Sequence, residues 1–106
     1  MKYNQLQHGD VLLKGIKSLP EGCTEKPREG GRLVVMRGEM TGHNHVITGD
    51  GAKLMELKGE LYLEVTVPVV ITHEEHKPLN IPTGIYQIGQ VQEYDYFAEM
   101  ARQVRD

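Results

Sequence analysis

The sequence predicts an all-β fold: a small β-barrel or compact sandwich of about seven short strands, with a short C-terminal helix. Three observations carry this expectation. Short apolar runs recur between glycine-bearing turns, residues 60–67 alternate apolar and polar, and only after Tyr96 does the apolar spacing turn helical.

Val11-Leu12-Leu13 follows the turn-like Gly9-Asp10 and reads as the first strand. Leu33-Val34-Val35-Met36, held between Gly31 and Gly38, reads as a buried second one. His45-Val46-Ile47-Thr48 and residues 52–57 are separated by Gly49-Asp50-Gly51. Asp-Gly between two apolar runs predicts a hairpin, because glycine tolerates the positive φ of a primed turn. Lys58-Gly59 predicts a second tight turn. In residues 60–67, Leu61, Leu63, Val65 and Val67 share one face, and Tyr62, Glu64 and Thr66 the other, as in a half-buried strand. Pro68 cannot donate to a ladder and marks an edge, a bulge or a bend. Val69-Val70-Ile71-Thr72 resumes the strand pattern, and residues 85–94 form the last long strand. Residues 18–31, with Pro20, Gly22, Pro27, Gly30 and Gly31, read as a long exposed loop.

A chain of 106 residues accommodates one domain. We read residues 1–95 as a single β domain and 96–106 as a short helical tail. Phe97, Met100, Ala101 and Val104 give that tail an apolar stripe that could dock on a partner chain or support a homo-oligomer.

The net charge of −3, with Lys and Arg scattered, speaks against nucleic-acid binding, which draws on a basic stripe. Tryptophan is absent and Phe97 is the one phenylalanine, so stacking platforms are scarce as well. No apolar run approaches the roughly 20 residues of a membrane-spanning helix. The first residues lack the apolar stretch of a signal peptide. The lone Cys23 has no disulfide partner in the chain, and together these features predict a cytoplasmic protein.

The chemistry-bearing residues are histidines. Thr41-Gly42-His43-Asn44-His45 and His73-Glu74-Glu75-His76 hold four of the five. Histidine is both a metal ligand and a proton carrier near neutral pH. On a strand, His43 and His45 would share a face and offer two parallel imidazoles. His73 and His76 flank two glutamates just past a strand, where a loop could curl back to complete a ligand shell. Such ligands suit Zn²⁺, Fe²⁺, Mn²⁺ or Ni²⁺ rather than Ca²⁺. His8, beside Gly9-Asp10, reads as a turn residue. Glu93 and Tyr94 are candidates for a further ligand or base and for an orienting hydroxyl.

His73 and His76 stand three apart beside Pro78, which departs from the zincin helix motif with its histidines four apart. Gly38 and His43-Asn44-His45 partly resemble the first cupin motif, with Asp50 near the glutamate position. Pro82-Thr83-Gly84 resembles the second, without its histidine.

A broader resemblance rests on an ordered set of segments. These are Gln7-His8-Gly9-Asp10-Val11-Leu12-Leu13, Gly38-Glu39-Met40-Thr41-Gly42-His43-Asn44-His45, His73-Glu74-Glu75-His76-Lys77-Pro78-Leu79, Ile81-Pro82-Thr83-Gly84-Ile85-Tyr86 and Gln92-Glu93-Tyr94-Asp95. Together they resemble a family of small bacterial and phage-associated proteins of unassigned function. The resemblance implies a compact β fold with the histidine pairs as its site, and it supplies no activity.

Two functional readings follow. In the first, the protein binds a divalent transition metal and acts as a small hydrolase or lyase on a small molecule. His43 and His45 are then core ligands, joined by His76 and by His73 or a neighbouring glutamate. A bound water would be the nucleophile, and Glu74 or Glu75 its base. In the second, the chain is a non-enzymatic accessory of a phage or mobile element. It would meet a protein partner through residues 18–31 and the tail, with architectural histidines.

Overall fold

The computed structural model describes residues 5–37 and 44–90, and every regular element within them is a strand. The strands are β1 (Gln5–His8), β2 (Val11–Ile16), β3 (Thr24–Glu25), β4 (Leu33–Met36), β5 (His45–Ile47), β6 (Ala52–Leu57), β7 (Glu60–Val65), β8 (Val69–His73), β9 (His76–Ile81) and β10 (Gly84–Gln90).

They form two antiparallel sheets. The first has the order β1-β2-β10-β7-β6-β3 and the second β4-β5-β8-β9. This corrects the expected barrel, because neither sheet closes on itself or on the other. The expected short C-terminal helix falls outside the described residues.

The strand count also departs from the expected seven. The three additional strands, β1, β3 and β9, are all edge strands. Edge strands need few apolar residues, so a reading based on apolar runs passes over them. In β9 only Ile81 is buried, and Pro78 interrupts the run. Proline is admitted there because the strand lies at an edge and carries a register shift opposite Thr72.

The local turn chemistry decides one hairpin and misleads about another. Lys58 and Gly59 both take positive φ, 51° and 82°, and close the hairpin of β6 and β7 as expected. Gly49-Asp50-Gly51 does not close a hairpin. It carries the chain from β5 in the second sheet to β6 in the first. Gly51 serves a different purpose there. A Cβ at this position would collide with the Val67 backbone, and the Gly51 carbonyl accepts from the amides of Thr66 and Val67. Pro68 follows at the return crossing, where the chain leaves β7 for β8 in the other sheet. Val67, expected on the inward face, is exposed at this crossing.

Alternation puts one face of each sheet on a shared apolar core. Val11, Leu13, Leu54, Leu63, Val65, Tyr86 and Ile88 come from the first sheet. Leu33, Val35, Ile47, Val69, Ile71 and Ile81 come from the second. Each fully buried aliphatic side chain contributes roughly 1.5–3 kcal/mol by leaving water. The Tyr86 hydroxyl donates to the Pro82 carbonyl at 2.7 Å, which satisfies the one polar atom it brings inside. Burial raises the pKa of that phenol.

The loop of residues 18–31 is mostly irregular, as expected, but it is fastened. Arg28 donates to the carbonyls of Gly31, Gly49 and Ala52 at 2.8 to 3.0 Å. Thr24 and Glu25 of β3 pair with β6. Cys23 lies in this loop as a free thiol. No helix among the described residues is long and apolar enough to cross a membrane.

Candidate metal centre

Where β1 meets β9, four imidazoles converge: His8 from the first sheet, and His45, His73 and His76 from the second. In the pairs His8–His45, His8–His76, His45–His73, His45–His76 and His73–His76 the ring centroids lie 4.4 to 5.7 Å apart. His73 and His76 face each other across the turn of the hairpin formed by β8 and β9. His45 comes alongside because β5 pairs with β8. The remaining histidine, His43, lies outside the described residues, as do Glu93 and Tyr94.

Two irregularities in the ladders adjoin the cluster. Between Val34 and Met36 the register of β4 slips against β5, next to His45. Between Ile71 and His73 the register of β8 slips against β9. In the second case Lys77 and Pro78 oppose Thr72 alone. Bulges of this kind re-aim side chains and release backbone groups from the ladder. The Lys77 carbonyl is spent on a side chain, accepting from His8 Nε2 at 2.8 Å.

The turn Gly9-Asp10 presses on the cluster from the other sheet. Gly9 has a φ of 59°, and a Cβ there would stand 2.5 Å from His76 Nε2 and 3.0 Å from His45 Cε1. Glycine therefore meets two demands at once, a left-handed backbone and a close approach to two rings.

One nitrogen each of His45, His73 and His76 lies within 4.8 Å of the others, so this group could hold a metal ion. Nitrogens around a tetrahedral zinc ion, with bonds of about 2.0–2.1 Å, stand roughly 3.3 Å apart. The set would have to draw in by at most about 1.5 Å. His45 is buried, His73 half-buried and His76 exposed, so the latter two have the freedom to do so.

The electrostatics favour lone pairs over protons. His45 has its pKa lowered to about 4, first by burial and then by repulsion from His73, His8 and His76; Asp10 opposes this. His8 is lowered as well, chiefly by burial, against the raising effect of its bond to Lys77. A neutral imidazole is the form that binds a cation.

Hydrogen bonding determines which nitrogens are bare. A carbonyl only accepts, so His8 Nε2 carries hydrogen and its Nδ1 does not. His8 Nδ1 and His45 Nδ1 stand 2.9 Å apart. His73 Nδ1 accepts from the Glu75 amide at 3.0 Å, so in the neutral ring its hydrogen sits on Nε2. Glu74 and Glu75, the expected bases, occupy the exposed turn between His73 and His76.

Beside His73 opens a cleft of about 450 Å³ lined by Arg32, Asn44, Val46, Thr72 and Glu74. Another cleft, of about 370 Å³, has Val35, Leu54, Leu61 and Ile88 in its walls and no histidine. Of the four clustered histidines, the first cleft includes His73 alone.

A comparison with protein families matches residues 7–91 to Domain of unknown function (DUF8820). The chain belongs to this family. The matched span takes in His8, His45, His73 and His76, and so the whole cluster. Comparison with curated proteins finds no match, and comparison with solved structures finds none.

His8, expected as a turn residue, joins the cluster instead. The signal that could have found it is its place before Gly9-Asp10, at the end of a strand. A side chain there is delivered to one end of the sheet, where histidines from other strands could meet it.

Proposed function

We propose that this chain binds one divalent transition ion of the zinc class on His45, His73 and His76. The ion would support metal-assisted hydrolysis or elimination on a small polar substrate. The observation that carries the reading is the convergence of three imidazole nitrogens within 4.8 Å, one buried and two toward solvent. Three nitrogen ligands leave a coordination position for water, and a bound divalent ion lowers the pKa of that water toward neutrality.

The chain's own groups have distinct tasks in this reading. His45 is the anchored ligand, and His73 and His76 close on the ion from the hairpin. Glu74 and Glu75 lie in the same turn and supply a carboxylate to take the proton from water.

The test is elemental analysis and calorimetric zinc titration of protein purified without a histidine tag. About one ion per chain is expected in the wild type. The H45A and H73A/H76A variants are expected to bind none. A wild type that takes up no Zn²⁺, Fe²⁺, Mn²⁺ or Ni²⁺ would sink the proposal, as would a folded H73A/H76A variant that binds zinc unchanged. Loaded protein then goes to a panel of small esters and phosphate esters.

A further inference from the structure

We infer that His8 is the positioning residue of this centre: it holds His45 as the Nδ1–H tautomer and thereby presents the His45 Nε2 lone pair for ligation. The consequence for metal rests on the reading above. The tautomer itself belongs to the metal-free protein and stands on geometry.

The chain of inference begins at Lys77. Its carbonyl cannot donate, so the contact of 2.8 Å to His8 Nε2 requires the hydrogen on His8. A neutral imidazole carries one ring hydrogen, so His8 Nδ1 is bare. The contact of 2.9 Å between His8 Nδ1 and His45 Nδ1 needs one hydrogen between them. That hydrogen must come from His45 Nδ1. His45 Nε2 is then left with its lone pair and no proton.

Burial gives this chain its force. His8 and His45 are each 4% exposed, so water does not compete for the contact between them. The relay also crosses the molecule's main division. His8 belongs to the first sheet, whereas His45 and Lys77 belong to the second. The orientation of the buried ligand is thus set by how the two sheets dock, and the shifted register of β9 at Lys77 supplies the terminal acceptor. Partners that fix the far nitrogen of a metal-binding histidine orient the ring and set its tautomer, and their loss costs about 10–100-fold in metal affinity.

The experiment is nitrogen-15 NMR of the metal-free wild type, H8Q and H8L, with zinc titration of each. Glutamine offers an acceptor oxygen and a donor amide in one planar group, so it can replace both contacts of His8. Leucine offers neither. We expect His45 to carry hydrogen on Nδ1 in the wild type and in H8Q, and to lose that preference in H8L. Zinc affinity should fall about 10–100-fold in H8L and largely return in H8Q. A wild-type His45 protonated on Nε2 would overturn the inference, as would a folded H8L variant that binds zinc like the wild type. If H8L does not fold, the wild-type and H8Q spectra decide. A wild type that binds no zinc overturns the metal reading, and the nitrogen spectra still determine whether His8 sets the His45 tautomer.

Discussion

His8 and His45 meet Nδ1 to Nδ1 at 2.9 Å, so one hydrogen links two imidazoles that belong to different sheets. The contact spans 37 positions of sequence and lies inside the protein. It gives the cluster a rigid side, formed by His8, His45 and the Lys77 carbonyl. The other side is adaptable, formed by His73 and His76 on the hairpin. The predictions below separate these two sides.

On the adaptable side, metal binding must release the Glu75 amide. His73 Nδ1 now accepts that amide at 3.0 Å. If the ion takes Nδ1, the acceptor is lost. If the ion takes Nε2, the hydrogen moves to Nδ1, and the acceptor is lost again. Zinc should therefore shift the Glu75 amide resonance and speed its hydrogen exchange, whichever nitrogen binds. An unchanged Glu75 signal in zinc-saturated protein would show that His73 is not a ligand.

On the rigid side, stability should depend on pH in a set direction. In the metal-free protein His45 stays neutral down to about pH 4, against an ordinary value of 6.5. Between those values the unfolded chain binds the proton and the folded one does not, so stability falls as pH drops through this window. Below it the loss levels off. His8, also lowered, adds in the same direction. The loss assignable to His45 is on the order of 3 kcal/mol at most. Urea unfolding of chelator-treated protein across the window measures it, and H45Q should flatten the curve.

Gly9 should prove sensitive beyond its backbone conformation. G9A places a methyl group 2.5 Å from His76 Nε2 in a residue with φ of 59°. The left-handed backbone costs on the order of 1–2 kcal/mol. The exposed His76 ring can move away, so the fold should survive while zinc affinity drops. A folded G9A variant with undiminished zinc affinity would remove His76 from the ligand set.

Arg28 is expected to hold the long loop. Its guanidinium ties residues 18–31 to the carbonyls of Gly49 and Ala52, at the crossing between sheets. Hydrogen bonds from a charged donor contribute about 1.5–3 kcal/mol each when well buried, and these are partly exposed. R28A should lower stability by about 1–3 kcal/mol and admit proteolysis within residues 18–31. Resistance to a protease equal to the wild type would show that β3 alone secures the loop.

Legibility in the sequence followed the range of the interaction. The strand pattern of residues 60–67 and the turn at Lys58-Gly59 are local; the turn appears as expected and the strand forms as β7, with Leu63 and Val65 inward, while Tyr62, expected on the polar face, is buried too and Val67 is exposed. Asp50-Gly51 carries an equally strong local signal, yet the strands on either side of it pair with different partners. A turn dipeptide reports where the chain can bend. It does not report which strand waits beyond the bend. β9 was hidden for a related reason: its place at an edge and its shifted register admit Pro78 and charged residues that a central strand would exclude.

By itself, then, the sequence indicated that the chain is built of short strands and singled out the histidine pairs at 43 and 45 and at 73 and 76, of which the structure brings His45, His73 and His76 together. Periodicity and residue type are properties of a few neighbouring positions, and they survive without knowledge of the fold. Only the tertiary structure decided that two open sheets stand in place of a barrel and that His8 joins the cluster. It also decided that His8 and His45 meet through their Nδ1 atoms. Those facts depend on pairings between residues tens of positions apart, whose energies arise from burial and docking.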